Sequence, residues 1–423
     1  MPHGRERTRF LALLVTALLL LCAGIATGDR GSPPARGSWV GSWASVPTAA
    51  PVTATPVLDD QTIRQVVHLS LPGDRVRLRL TNEFGTEPLR LGEVHLARRA
   101  GTSGTDIVPA TDRRVTFSGE PAVTIPAGAP MLSDPVPLAV PARADLVVSI
   151  HLPEHTPVTT LHSFALQENA VADGNVTDDE SVAPVRTVTQ WYFLSGVAVH
   201  TSARGAAAVV AFGDSITNGF SSEQNANNRW PDLLAERVRG LGTLNLGVAG
   251  NRLLHDPNPP PGSEAENFAV FFGQSALRRF DRDVLSQPGA RHLVVLLGVN
   301  DLGHPGSVAP ISETVSAREI IAAHRQIIAR AHEAGLRVYG GTILPFEGTP
   351  GFSSEENLAK WAEVNDWIRT GGEYDAVIDF AAAVADPADP ERLAPAYDSG
   401  DHLHPNDAGM ARMAATVPGR LFR

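Results

Sequence analysis

The amino-acid sequence predicts an α/β chain of two unlike halves: an antiparallel β-sandwich over residues 39–203, then a fold built on a parallel sheet over residues 204–423. Two patterns carry this. Between Trp39 and Thr201, apolar and polar residues alternate in short runs punctuated by proline and glycine, the period-two signature of half-buried strands. After Ala203 short, wholly apolar runs alternate with stretches whose apolar residues recur every three or four positions, as βαβ units require. A chain of 423 residues with 43% hydrophobic composition can fill two such cores.

In chain order, Arg5, Arg7 and Arg9 precede the apolar run from Phe10 to Thr27, and small residues follow in AGIATG. This is the layout of a secretory leader over residues 1–28, so the protein is expected to be secreted and, after leader removal, to have no stable membrane association. Residues 29–38, DRGSPPARGS, read as a linker. In RVRLRL at 75–80, Val76, Leu78 and Leu80 alternate with three arginines, predicting one buried and one wet face. VVHLSL at 66–71 leads into that strand through Pro72, Gly73 and Asp74, a hairpin signal; DLVVSIHL at 145–152 and QWYFLSGVAVH at 190–200 extend the pattern. Trp39, Trp43, Trp191 and Tyr192 stand at strand ends, where aromatics either pack in a core or form a sugar-stacking platform.

In the second half the apolar runs are AAVVAF at 207–212, HLVVLLG at 292–298, LRVYGGTI at 336–343 and DAVIDF at 375–380. Helical patterns lie between them at 229–240, 316–335 and 353–369. In the second of these Ile320, Ile321, His324, Ile327, Ile328 and Ala331 form one stripe. Ser353 and Ser354 followed by Glu356 mark the start of the third.

Composition excludes several chemistries. Cys22 is the only cysteine and lies in the leader, so the mature chain has no disulfide, catalytic thiol, iron–sulfur cluster or cysteine-bound zinc. Leader removal takes three arginines and one glutamate from 35 basic and 46 acidic residues, leaving a net charge of −13, unsuited to nucleic acid. The single lysine, Lys360, lies in LAKWAE, so no GK[ST] phosphate loop exists.

Four stretches of the second half carry polar residues at strand or helix ends: GDSIT at 213–217, NLGVAGN at 245–251, LLGVNDLG at 296–303 and DSGDHLHPNDAG at 398–409. In a doubly wound sheet the carboxyl ends of the strands share one edge, so these stretches converge. Ester hydrolysis by serine needs a nucleophile, a base, a carboxylate to hold the base, and oxyanion donors. Ser215 is the candidate nucleophile, with a helix cap as its plainer reading. Asp401 and His404, at D-x-x-H spacing, are the candidate carboxylate and base. The backbone N–H of Ser215, a glycine N–H from the second stretch and the Asn300 amide are the candidate oxyanion donors. Asp214 is either a turn former or a brace for the serine loop, and Asp301 reads as structural. A competing metal site would pair His402 and His404 with Asp398 or Asp401, but leaves Ser215 and Asn300 without a task.

These four blocks, in order and with TILP at 342–345 between the last two, resemble the SGNH or GDSL-type esterases and lipases. The resemblance covers residues 205–423 and implies a flavodoxin-like three-layer α/β/α fold, no cofactor or metal, and hydrolysis of carboxylic esters through an acyl-enzyme. It puts Ser215 at the nucleophile, Gly250 at the second-block glycine, Asn300 at the third-block asparagine and Asp401 with His404 in the last block; Gly247 is the alternative N–H donor. The first half, through RVRLRLTNEFGTEPL and LQENAVADGN, is similar to the β-rich region of secreted actinobacterial arylesterase/acylhydrolases associated with xylan degradation. The implied substrates are short acyl, such as acetyl, groups on carbohydrate or small and aryl esters. The alternatives are a long-chain lipase or phospholipase and a non-catalytic polysaccharide-binding protein.

Overall fold

A computed structural model describes residues 37–51 and 54–423. The leader expected over residues 1–28, and all but the last two residues of the 29–38 linker, lie outside the described residues. Among the described residues no helix is long and apolar enough to cross a membrane.

The first half forms two main antiparallel sheets. One orders Ser38–Ala44, Leu194–Thr201, Gly73–Thr81 and Pro130–Leu132, with Val136–Val140 also paired to Gly73–Thr81. The other orders Arg186–Val188, Asn169–Asp173, Gln61–His68, Asp145–Leu152, Val94–Arg98 and Arg113–Val115. Alternation turns Val76, Leu78 and Leu80 of the first, and Ile63, Val67, Leu146, Val148 and Ile150 of the second, into one apolar core.

Two local expectations are corrected. The runs around residues 66–71 and 75–80 are not a hairpin, since Gln61–His68 and Gly73–Thr81 belong to different sheets. The chain instead crosses between sheets, with Leu69 and Leu71 buried and the N–H groups of Ser70 and Leu71 donating to Ser42, at 2.9 Å each. Two sheets that share a core need such a crossing, and no local pattern separates it from a turn. The arginine face of Gly73–Thr81 is not simply wet: the Arg77 guanidinium lies 4.4 Å from the Trp39 ring centroid, and Arg79 donates to the Ser286 carbonyl at 3.1 Å. Of the two readings of the strand-end aromatics, the structure takes the core one: Trp43, Trp191 and Tyr192 are buried and Trp39 is half-covered.

The second half is a five-stranded parallel sheet of β1 (Ala207–Gly213), β2 (Leu241–Gly247), β3 (Ala290–Leu296), β4 (Arg337–Gly341) and β5 (Ala376–Ile378), in the order β2-β1-β3-β4-β5. This is the flavodoxin-like order, with its switch point between β1 and β3. The flanking helices are α1 (Trp230–Arg237), α2 (Ala317–Glu333), α3 (Glu355–Thr370) and α4 (Asp407–Thr416). Side chains alternate along each strand, so one face of the sheet packs with α2 and α3 through Ile320, Ile327, Val364 and Ile368. The other face packs with α1 and α4 through Trp230, Leu234, Met410 and Met413, giving three layers. The stripe predicted on α2 is buried throughout, and Ser316 and Glu319 close its N-terminus as a capping box.

The two halves are in contact. Gly242 of β2 lies so close to the strand Ser38–Ala44 that a Cβ there would sit 1.9 Å from the Gly41 carbonyl oxygen. Ser70 accepts from the Thr243 N–H at 2.9 Å.

Candidate active site

The chain carries candidate groups just beyond each of the neighbouring strands β1, β2 and β3. Beyond β1, the Asp214 carboxylate accepts from the Ile216 N–H at 3.0 Å and caps the single helical turn Ser215–Asn218, which carries the serine. Burial pushes the Asp214 carboxyl up to about 7, against the N–H bond and the more distant Arg279 charge. Asp214 is therefore both cap and brace.

Beyond β2 lie the two glycines. Gly247 packs against the serine's helical turn, where a Cβ would fall 2.1 Å from the Asn218 nitrogen, and its N–H donates to Asn245 Oδ1 at 2.9 Å. Gly250 has φ +73°, and a Cβ there would lie 2.1 Å from the Phe272 ring; its N–H has no hydrogen-bond partner among the described residues. Beyond β3, Asn300 donates through Nδ2 to the Asn251 carbonyl at 3.0 Å, which fixes the amide and leaves its second N–H for another acceptor. The adjacent Asp301 carboxylate accepts from the Leu253 and Leu254 N–H groups at 2.7 and 3.0 Å, holding the loop that carries Asn251. Burial raises Asp301 to about 6 despite those bonds.

The last stretch closes the set. His404 Nδ1 lies 2.6 Å from Asp401 Oδ2, and His404 Nε2 lies 2.9 Å from Ser215 Oγ. Asp401 Oδ1 also accepts from the N–H groups of Leu403 and His404, at 2.9 and 2.8 Å. Partial burial works against its charge, but the bonds from His404 prevail and hold the carboxyl far below the usual range. Such a carboxylate fixes Nδ1 as donor and leaves Nε2 to accept the serine proton.

Ser215, Gly250, Asn300 and His404 line one cleft of about 260 Å³. Its remaining walls are largely aromatic: Phe164, Phe220, Phe272 and Phe352. His304, which packs 5.1 Å from the Phe272 ring, is kept neutral by burial, which lowers it to about 3. The competing metal pair is not assembled. His402 Nδ1 is engaged at 2.6 Å by Asp398, while both ring nitrogens of His404 are occupied by Asp401 and Ser215. Among the described residues, the acidic trio that could hold an ion, Glu347, Asp389 and Glu391, includes no residue of the cleft.

Sequence reasoning missed two contributors. Arg279, fully buried, donates to the Gly213 and Leu246 carbonyls at 2.9 and 3.1 Å and to Asn251 Oδ1 at 3.0 Å, joining the ends of β1 and β2 to the loop beyond. Its one local signal is the arginine pair in ALRRF at 276–280, of which Arg279 is the buried member. Phe164 comes from the first half and had no local signal at all.

Residues 211–412 match the model of the GDSL-like lipase/acylhydrolase family. No curated protein matches the chain. Among solved structures, a lipolytic protein of the G-D-S-L family from Desulfitobacterium hafniense is 21% identical over 49% of this chain and 96% of its own, with a TM-score of 0.35. The M. smegmatis aryl esterase is 14% identical over 49% and 95% (TM-score 0.37). A carbohydrate esterase family 2 enzyme from Corynascus, with its carbohydrate binding domain, is 11% identical over 91% and 98% (TM-score 0.40). Matched by the family model over just under half of the chain, and with Ser215 at the end of β1, the second half holds a GDSL-like lipase/acylhydrolase domain, which supports a carboxylic ester hydrolase.

Proposed function

We propose that this is a secreted serine esterase acting on short acyl or small aryl esters, including acyl groups carried on carbohydrate. The observation that carries the reading is the His404 ring, bonded to Asp401 on one side and Ser215 on the other. His404 Nε2 takes the Ser215 proton as Oγ attacks the ester carbonyl carbon. The resulting oxyanion is met by the N–H groups of Ser215 and Gly250 and by Asn300 Nδ2; Gly250 is preferred to Gly247, whose N–H is already spent on Asn245. His404 then returns the proton to the leaving alcohol oxygen, and the same steps run with water release the acid from Ser215.

The size and lining of the cleft support small apolar groups. At about 260 Å³ it lies below the ~300–1,000 Å³ typical of sites for drug-sized ligands, which favours a short acyl chain or single ring over a long lipid chain. The test is p-nitrophenyl ester hydrolysis from acetyl to palmitoyl, for the mature protein and Ser215→Ala, with chelator present. Serine-dependent rates that fall as the chain lengthens are expected. A long-chain maximum would make it a lipase, and an active Ser215→Ala variant would remove the nucleophile assignment. Export is tested by expression in a secreting host, where the medium should hold a chain cut near Gly28.

A further inference from the structure

The segment 162–168 belongs to the first half, yet it is docked along residues 218–229, immediately after the serine's helical turn. His162 lies 2.9 Å from the Val46 carbonyl through Nδ1 and 2.8 Å from Asn218 Nδ2 through Nε2. Burial lowers His162 to about 4, so the ring is neutral, donating from Nδ1 and accepting at Nε2. Asn218 Nδ2 also donates to the Phe164 carbonyl at 3.3 Å, and Arg229 donates to that of Ala165. The Leu166 carbonyl accepts from the Asn225 N–H at 2.9 Å, Gln167 donates to Asn227 Oδ1 at 2.9 Å, and the Glu168 N–H donates to Asn225 Oδ1 at 2.8 Å. Side-chain and backbone bonds along the whole segment hold it as a strap, and at its centre Phe164 enters the cleft.

The position of Phe164 suggests what it touches. Its ring meets Phe220 edge-on at 5.5 Å, and Phe220 lies 4.6 Å from the His404 ring. The imidazole has to hand its proton to the leaving oxygen, so the alcohol part of the ester lies on the His404 side. Phe272 instead packs on Gly250 and His304, beside the oxyanion donors.

We propose that Phe164, delivered by the strap, is a specificity-determining residue for the alcohol part of the substrate, favouring esters of aromatic alcohols. This rests on the assignment of Ser215 and His404. Offset or edge-on contact with a bound ring, together with the area it covers, should be worth about tenfold in kcat/KM, which reports the acylation step that expels the alcohol.

The experiment measures kcat/KM for phenyl acetate, ethyl acetate and phenyl butyrate with the full chain, Phe164→Ala and Phe164→Tyr, counting competent sites by fluorophosphonate titration. For Phe164→Ala the phenyl-to-ethyl ratio should fall about tenfold while the acetate-to-butyrate ratio holds, and Phe164→Tyr should retain the wild-type phenyl-to-ethyl ratio. A merely structural role would lower the titrated sites, or all three esters together. A phenyl-to-ethyl ratio unchanged within about twofold, or a shift confined to the acyl ratio, overturns the proposal. Ser215→Ala, run in parallel, must be inert; if it is not, the catalytic assignment has failed rather than the role of Phe164.

Discussion

Replacing Asn300 by alanine tests the oxyanion role proposed for its amide. Asn300 is 3% exposed and lines the cleft, and its Nδ2 donates to the Asn251 carbonyl. Removing a donor of this kind costs about 2.7–4 kcal/mol of transition-state stabilisation, so kcat should fall roughly 10²- to 10³-fold with KM nearly unchanged. The substitution also strands the buried Asn251 carbonyl, at a cost of about 1–3 kcal/mol in folding stability. The loop should nevertheless stay in place, since Asn251 Nδ2 donates to the Phe272 and Gln274 carbonyls at 2.7 and 2.9 Å and Arg279 holds its Oδ1. The assay is steady-state hydrolysis of p-nitrophenyl acetate, normalised to fluorophosphonate-titrated sites, with Tm measured alongside. A kcat within about tenfold of wild type at full site occupancy would refute the donor role.

Asp401→Asn removes the acceptor that fixes His404 Nδ1 as donor; kcat should fall about 10³- to 10⁴-fold, and a loss under about tenfold would mean that the carboxylate is dispensable. Asp214→Asn tests the buried carboxyl under the nucleophile. Its proton is retained in the folded protein up to about 7, whereas in the unfolded chain it is lost near ~3.9. The stability it contributes is therefore full below the unfolded value and disappears as pH rises through about 7, with Asp301 adding a decline in the same direction through about 6. Asparagine cannot ionise, so the Tm of the variant relative to wild type should climb between pH 5 and 8, and a constant difference would contradict the raised value.

The parallel sheet was legible because its strands are covered on both faces and so read as unbroken apolar runs. The candidate site was legible for a related reason: Ser215, Asn300 and the Asp401–His404 pair each sit in a short stretch fixed by its own strand or helix end, and topology brings the stretches together. The first half was harder to read. Whether Gln61–His68 pairs with Gly73–Thr81 is decided by partners as far away as His200, which pairs with Arg75, and the crossing at Leu69 and Leu71 has the composition of a hairpin approach. The same limit left core and platform both open for Trp43 and Trp191, which meet edge to face at 4.8 Å across more than a hundred residues. Phe164 was invisible for the opposite reason, since a lone half-buried phenylalanine in a loop looks like any other until the chain it lies against is known.

Arg279 sets how the cleft meets its substrate. One guanidinium grips carbonyls at the ends of two neighbouring strands and the loop that holds Asn300, so the serine and the glycine N–H cannot drift apart independently. Burial lowers Arg279 only to about 10, so it remains charged wherever the esterase is expected to work. The cleft therefore has little reorganisation left to perform as negative charge grows on the ester oxygen: its dipoles were already aligned when the strands paired, and the work of orienting them was done once, during folding.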